Sequence, residues 1–205
     1  MAWTTPRTWT TSELVTASIM NTHVRDQFNY LYGGKESIYV PAAAMQPTNT
    51  SGCSPLAALE TTAGRPDLQY LAFDASADEY AQFALNMPNK WNLSTLSFQV
   101  SWSTPATDTD GVAWALQAVA VSDGDSIDVA YGTAVVVSDD AQSAANDHLI
   151  TSESSALTIA GTPADDDLIY FQIFRDVSDG NDTMSEDAYL LGLKLYYTSD
   201  QHFEA

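Results

Sequence analysis

At Gly33-Gly34 the spacing of the apolar residues changes, and that change limits what this chain can fold into. Before it, apolar residues recur at helical spacing; after it they alternate, one side chain in and the next out, as strands require. Leu96, Phe98, Val100 and Trp102 fall on one side of residues 93–102, with Ser97, Gln99 and Ser101 on the other. Val112, Trp114, Leu116 and Ala118 repeat the pattern in residues 112–121. Further strand-like tracts cover residues 38–40, 68–73, 79–85, 127–137 (with Gly132 as a bulge), 156–160, 168–175 and 189–197. Short strands separated by polar turns predict a mainly β fold, an antiparallel β-sandwich of jelly-roll type. Residues 41–55 read as a long ordered connection, with a possible helical turn at 140–145. Two units follow: residues 1–34, an extended arm and a short α-helix, and residues 35–205, the sandwich.

The first unit looks made to be held. Trp3 and Trp9 stand in a polar arm with Pro6, Arg7 and five threonines, and no local apolar pattern would cover them. Leaving an indole in water forgoes about 2–3 kcal/mol of burial. Trp3, Pro6, Arg7 and Trp9 are therefore expected to dock on a partner, the alternative being the chain's own sandwich. Thr16 or Ser12 can cap the helix and Gly33-Gly34 can end it. At about 100° per residue, Ala17, Met20, Val24, Phe28 and Leu31 lie within a stripe of roughly 80°. As heptads, Ala17, Val24 and Leu31 take a and Met20 and Gln27 take d. The stripe fits a short three-helix stem in a homotrimer; the alternative is one helix packed on its own domain.

Charge narrows the partners. Lys+Arg 7 against Asp+Glu 27 gives −20, and its distribution is uneven. Residues 1–35 carry 3 bases and 2 acids (+1), and residues 36–205 carry 4 bases and 25 acids (−21). Such a body repels phosphate backbones and anionic membranes, so no nucleic-acid partner is expected. No apolar run approaches the ~20 residues of a membrane span, so no membrane insertion is expected. The polar, aromatic start MAWTTPRTWT lacks an apolar leader core, so no signal peptide is expected either. With Cys53 as the single cysteine, stability must come from packing or assembly rather than an intrachain disulfide.

Candidate chemistry is thin. The acidic loops (Asp123, Asp125 and Asp128; Asp139-Asp140; Asp165 to Asp167; Asp176, Asp179 and Asp182) match no calcium-loop spacing, and Asp is an ordinary turn residue. His23, His148 and His202 show no metal-ligand spacing, so no metal and no cofactor are expected. Cys53 lies in a Pro/Gly/Ser tract with no basic neighbour to activate it. Trp91 could line a saccharide platform, core or rim packing being the plainer reading. Nothing demands an enzyme, and no catalytic residue is assigned.

Two segments carry a resemblance. The opening TPRTWTTSELVTASIMNTHVRDQFNYL is similar to the N-terminal segment of minor tail and fibre proteins of tailed bacteriophages, at Trp9, Val15-Thr16-Ala17, Asn21, His23-Val24-Arg25-Asp26, Phe28 and Leu31. The closing DLIYFQIFRDVSDGNDTMSEDAYLLGLKLYYT looks like the last hairpin of jelly-roll domains in phage fibres and spikes. The resemblance implies a virion component assembled in the host cytoplasm, trimeric, joined to other virion proteins by its N-terminus. It also implies a sandwich turned toward a host surface glycan or protein. The rival readings are a capsid decoration protein and a glycan-binding or glycan-cleaving module.

Overall fold

The computed structural model describes residues 4–32 and 34–200, leaving aside the side chains of residues 30–32. An extended arm leads into α1 (Ala17–Met20), a π-helical turn (Asn21–Arg25) and α2 (Asp26–Tyr32). Thr16 is extended at φ −86° and ψ 160°, and its hydroxyl accepts a hydrogen bond from the Ile19 N–H. This is the N-cap that the sequence offers, satisfying one of the orphan donors of the first turn.

The π turn was not foreseen. The Asp26 N–H reaches back five residues to the Asn21 carbonyl. A turn closed from i to i+5 seats an additional residue, so positions beyond Arg25 rotate back relative to an α-helix. The 100° count across Ala17 to Leu31, and with it the heptad assignment, therefore does not hold through this turn. The Gln27 amide donates to the Thr22 carbonyl, another bond across five residues.

Among the described residues the body has eleven strands. β1 (Gly34–Pro41) is followed by a 3-10 turn (Ala42–Ala44), β2 (Gln46–Pro47), β3 (Ala57–Leu59), β4 (Leu68–Phe73) and β5 (Tyr80–Asn86). Then come β6 (Ser97–Ser103), β7 (Gly111–Val121), β8 (Val135–Asp140), β9 (Leu149–Ile150), β10 (Leu168–Arg175) and β11 (Ala188–Ser199). A six-stranded sheet runs β3-β4-β11-β6-β9, with β1 also on β11; a five-stranded sheet runs β2-β5-β10-β7-β8. β11 is long enough to take two partners along one edge, β4 against Ala188 to Leu190 and β1 against Gly192 to Ser199. Every strand pairing is antiparallel, and the protein is a mainly β sandwich of jelly-roll type preceded by an arm and a short helix.

Between the sheets lies one core. Phe98, Val100, Trp102, Leu193 and Leu195 face Trp114, Leu116, Phe171 and Ile173, each with no more than a trace of exposure. The inward set is the alternate-residue set of the sequence, because period 2 puts every second side chain between the layers. Phe73 meets Trp114 edge-on at 5.2 Å, and Phe83 stacks on Phe171 at 4.9 Å. Trp91 is 3% exposed and part of this core, so it forms no surface platform.

Three strand expectations fail in part. Of residues 127–137 only the end is strand; Ile127 and Val129 are 68% and 44% exposed. β-branched composition favours a strand only where a neighbour supplies pairing and cover, and Ile127 and Val129 lack that cover. Gly132 is not a bulge. Its N–H donates to the Ala118 carbonyl, and a Cβ there would come within 3.1 Å of the Thr158 carbonyl oxygen. The irregularity falls instead between Leu190 and Gly192 in β11. Residues 156–160 contribute isolated bridges, Leu157 to Leu96 and Ala160 to Val119. No helix forms at 140–145, where the left-handed φ of 63° at Ser143 marks a turn.

Candidate functional site

Residues 4–29 contain no buried residue. Their described hydrogen bonds close inside the segment: the Thr4 N–H to the Gln27 side-chain oxygen, the Thr10 N–H to Glu13, the Ile19 N–H to Thr16 and Arg25 to Asp26. By its described hydrogen bonds the arm is held to the helix. Arg7 pairs with Glu13, and its guanidinium lies 5.6 Å from the centre of the Trp9 ring, a cation–π distance. Pro6 is exposed and Trp9 is 46% exposed; Trp3 lies outside the described residues.

The residues expected to pack between three chains are also largely open. Met20 is 44% and Phe28 65% exposed, Ala17 is exposed and Val24 half-buried. The Leu31 side chain lies outside those described. Gln27 differs from the polar seam residue expected of a stem, since its oxygen holds Thr4 and its nitrogen holds the Thr22 carbonyl. It works as a clasp between arm and helix within one chain.

In the sandwich the strongest polar cluster is fully enclosed. Arg175 closes β10 with no exposure, and its Nε and Nη2 donate to both oxygens of Asp182 at 2.8–3.2 Å. Its remaining donors go to the carbonyls of Phe73, Met184 and Glu186. Asp182 also accepts from the Ala113 N–H, which ties the loop after β10 to β7. One carboxylate and three backbone carbonyls are donors of the kind a structural calcium collects, and here a guanidinium supplies the positive charge. Sequence reading passed over this residue, although the count was available: Ile169, Phe171 and Ile173 point inward, so Arg175 must too.

Several of the remaining acids are turn formers. Asp74, Asp108, Asp176 and Asp179 each accept from the backbone N–H two residues on. Short side chains that mimic a backbone carbonyl in this way make loops without a ligand. Asp139 is different, because it accepts from the Trp102 indole at 2.8 Å, and burial raises its pKa above the usual carboxylate value. Among the described residues no group of three or more His, Cys, Asp or Glu is placed to hold a metal ion. Cys53, in its Pro/Gly/Ser tract, is 5% exposed, and its N–H bonds the Tyr80 carbonyl. Burial, with Glu79 nearby, pushes its thiol up to about 12, which removes it as a nucleophile. His148 is exposed, and His202 lies outside the described residues.

One surface has a composition unlike the rest. Pairing puts Gln82, Gln172 and Gln117 side by side across β5, β10 and β7. The row on one side reads Tyr80, Phe174 and Ala115; the row on the other reads Ala84, Tyr170 and Val119. Alternation turns all nine away from the core, and none is charged. Ala115, Val119 and Phe174 are buried among their neighbours, and the three glutamines, Tyr80, Tyr170 and Ala84 are half-buried or exposed. Gln117 donates to Gln172 at 2.6 Å, and Tyr80 and Phe174 meet at 5.0 Å. Tyr131 is half-buried beside Tyr170, its hydroxyl raised by burial and then by that neighbour. A recess of about 340 Å³ opens at one margin between Ala43 to Gln46 and the side chains of Gln82 and Tyr170.

The opposite outer face, on the six-stranded sheet, is charged. There Tyr196 lies between Lys35 at 4.4 Å and Lys194 at 4.9 Å, and Lys35 also pairs with Glu153. Tyr39 crosses the strand at Gly192, where a Cβ would strike its hydroxyl at 2.5 Å.

No family model matches the chain, and no curated protein matches it. Solved structures do. The chain is similar to the CBM36-1 domain of a multidomain xylanase from the hindgut metagenome of Trinervitermes trinervoides, at 7% identity and TM-score 0.38, covering 78% of this chain and 96% of that one. A CBM35 from Cellvibrio japonicus Abf62 matches at 8% identity and TM-score 0.41, over 82% and 100%. The CBM22-1–GH10 modules of Clostridium thermocellum xylanase 10B, solved with xylohexaose, match at 12% and 0.45, over 85% of this chain and 30% of that one. Identities this low are a likeness of fold. No helix among the described residues is long and apolar enough to cross a membrane.

Proposed function

We propose that this chain is a non-enzymatic structural subunit of a tailed-phage-type virion, held to the particle through residues 1–34 and presenting residues 35–205 to a host surface. One observation carries the reading: most of the large apolar groups of residues 4–29 are left exposed, with Phe28 65% and Leu14 80% in solvent. Apolar groups at that exposure mark a contact still to be made. The N-terminal resemblance to minor tail and fibre proteins names the contact, a neighbouring virion protein for the Trp9 arm and two further copies of the chain for Met20, Val24 and Phe28.

Gln27 gives the arm a defined place on the helix, so arm and stem meet the particle as one unit. Removing residues 1–11 should leave the sandwich folded and the three-chain assembly intact, while particles form without this subunit. Recovery of the truncated chain in particles at the wild-type level overturns the anchoring role.

A further inference from the structure

We propose that the outer face of β5, β10 and β7 binds a neutral polysaccharide chain. The inference deepens the function proposed above, by giving the displayed sandwich its ligand.

The first argument is charge. In a chain of net charge −20, the three rows that cross these strands hold no ionised side chain. The remaining outward positions, Asn86, Leu168, Ala113 and Val121, carry none either. A polyanion would meet the repulsion of the surrounding acids without a base on this face to offset it. A basic partner would find its acids elsewhere, in the loops. An uncharged ligand is what complements the face.

The second argument is hydrogen bonding. Among the described residues, the amide of Gln82 and the hydroxyls of Tyr131 and Tyr170 have no hydrogen-bond partner, and all three residues are half-buried. Each amide offers two donors and an acceptor, and each phenol offers one donor with acceptor capacity. Set between strands about 4.8 Å apart, they form a lattice of mixed donors and acceptors. A ligand dense in hydroxyls uses both kinds at once, whereas an apolar protein surface would leave them unpaired.

Shape supplies the third. Tyr170 puts an aromatic ring beside the glutamine row, and its ring can cover the C–H side of a pyranose while the amides reach the rim hydroxyls. The recess against Ala43 to Gln46 can seat one sugar at the end of such a chain.

The test uses the full chain in affinity electrophoresis through gels holding a neutral glucan, mannan or galactan, with alginate as the polyanionic control. At least one neutral polymer should retard the protein, and raising the salt should leave the retardation unchanged. Tyr170→Ala and Gln82→Ala should each weaken retention tenfold or more with the melting temperature preserved. Tyr196→Ala, on the opposite face, should leave it as in the wild type. Retention by alginate alone, by no polymer, or equally by Tyr170→Ala and Gln82→Ala overturns the inference. So does loss on Tyr196→Ala, or self-association through this face that Tyr170→Ala abolishes. Anchoring is scored separately: Tyr170→Ala should enter particles normally, and the chain lacking residues 1–11 should still bind the polymer.

Discussion

Arg175 and Phe28 stand in different regions of the molecule and meet opposite fates. Arg175 is a charged group with no exposure, its donors taken up by one carboxylate and three carbonyls. Phe28 is an apolar group left 65% in solvent. Each breaks the ordinary rule of burial. The first exception is resolved inside the chain, because the loop from Asp176 to Asp187 folds around the cation. The second has no solution among the described residues, since residues 4–29 hydrogen-bond among themselves and none of them is fully buried. Sandwich and arm therefore belong to different economies of contact: one is complete, the other is finished by something else.

Arg175→Met is the hardest blow to that contrast. Removing the cation strands Asp182, which is 3% exposed, and three inward carbonyls. Breaking a buried pair from one side costs about 3–5 kcal/mol, on the order of 10 °C in melting temperature for a domain of this size. Arg175→Met with Asp182→Leu should recover part of the loss, because no orphaned charge remains. Neither calcium nor a chelator should move the wild-type melting temperature, since the guanidinium already occupies the centre of those donors. A calcium-dependent rise would mean that a metal, not Arg175, organises the loop.

Met20→Ser with Phe28→Ser sharpens the contrast from the other side. The pair should take a sedimenting assembly to single chains, while the sandwich melts within about 1 °C of the wild type, as surface substitutions do. Should the double variant melt like Arg175→Met, the stripe belongs to the fold and the division between the two regions fails.

How much of this could be read from residues alone differs in the same way. β4, β7 and β10 stand where the alternation put them, because two-sided packing imposes period 2 on every residue of the strand. Residues 127–134 misled, because their composition is that of a strand, and composition does not contain the neighbour. Arg175 was legible by counting alternate residues along β10. The glutamine row was not. Gln82, Gln117 and Gln172 are far apart in sequence and meet only through the register of three non-consecutive strands. The π turn was hidden for a related reason: one additional residue in a helical turn leaves no mark in an apolar pattern this short, yet it resets every position beyond Arg25.

The finest measure of how complete the sandwich is comes from Asp139. Burial is the main cause that raises this carboxyl, the Trp102 indole and then the Asp140 N–H oppose it by donating hydrogen bonds, and the charge of Asp140 adds a smaller rise. A carboxyl raised by folding favours the folded state in its neutral form. Its contribution is full below the unfolded value and is lost as pH climbs through the folded one. Asparagine keeps an acceptor for the indole and carries no charge to desolvate. Asp139→Asn should therefore melt slightly above the wild type at about pH 8 and level with it at about pH 3, where the native carboxyl is itself protonated. A drop at the higher pH would show that the ionised carboxylate is the form the Trp102 bond requires. The interior would then hold a second charge as firmly as it holds Arg175.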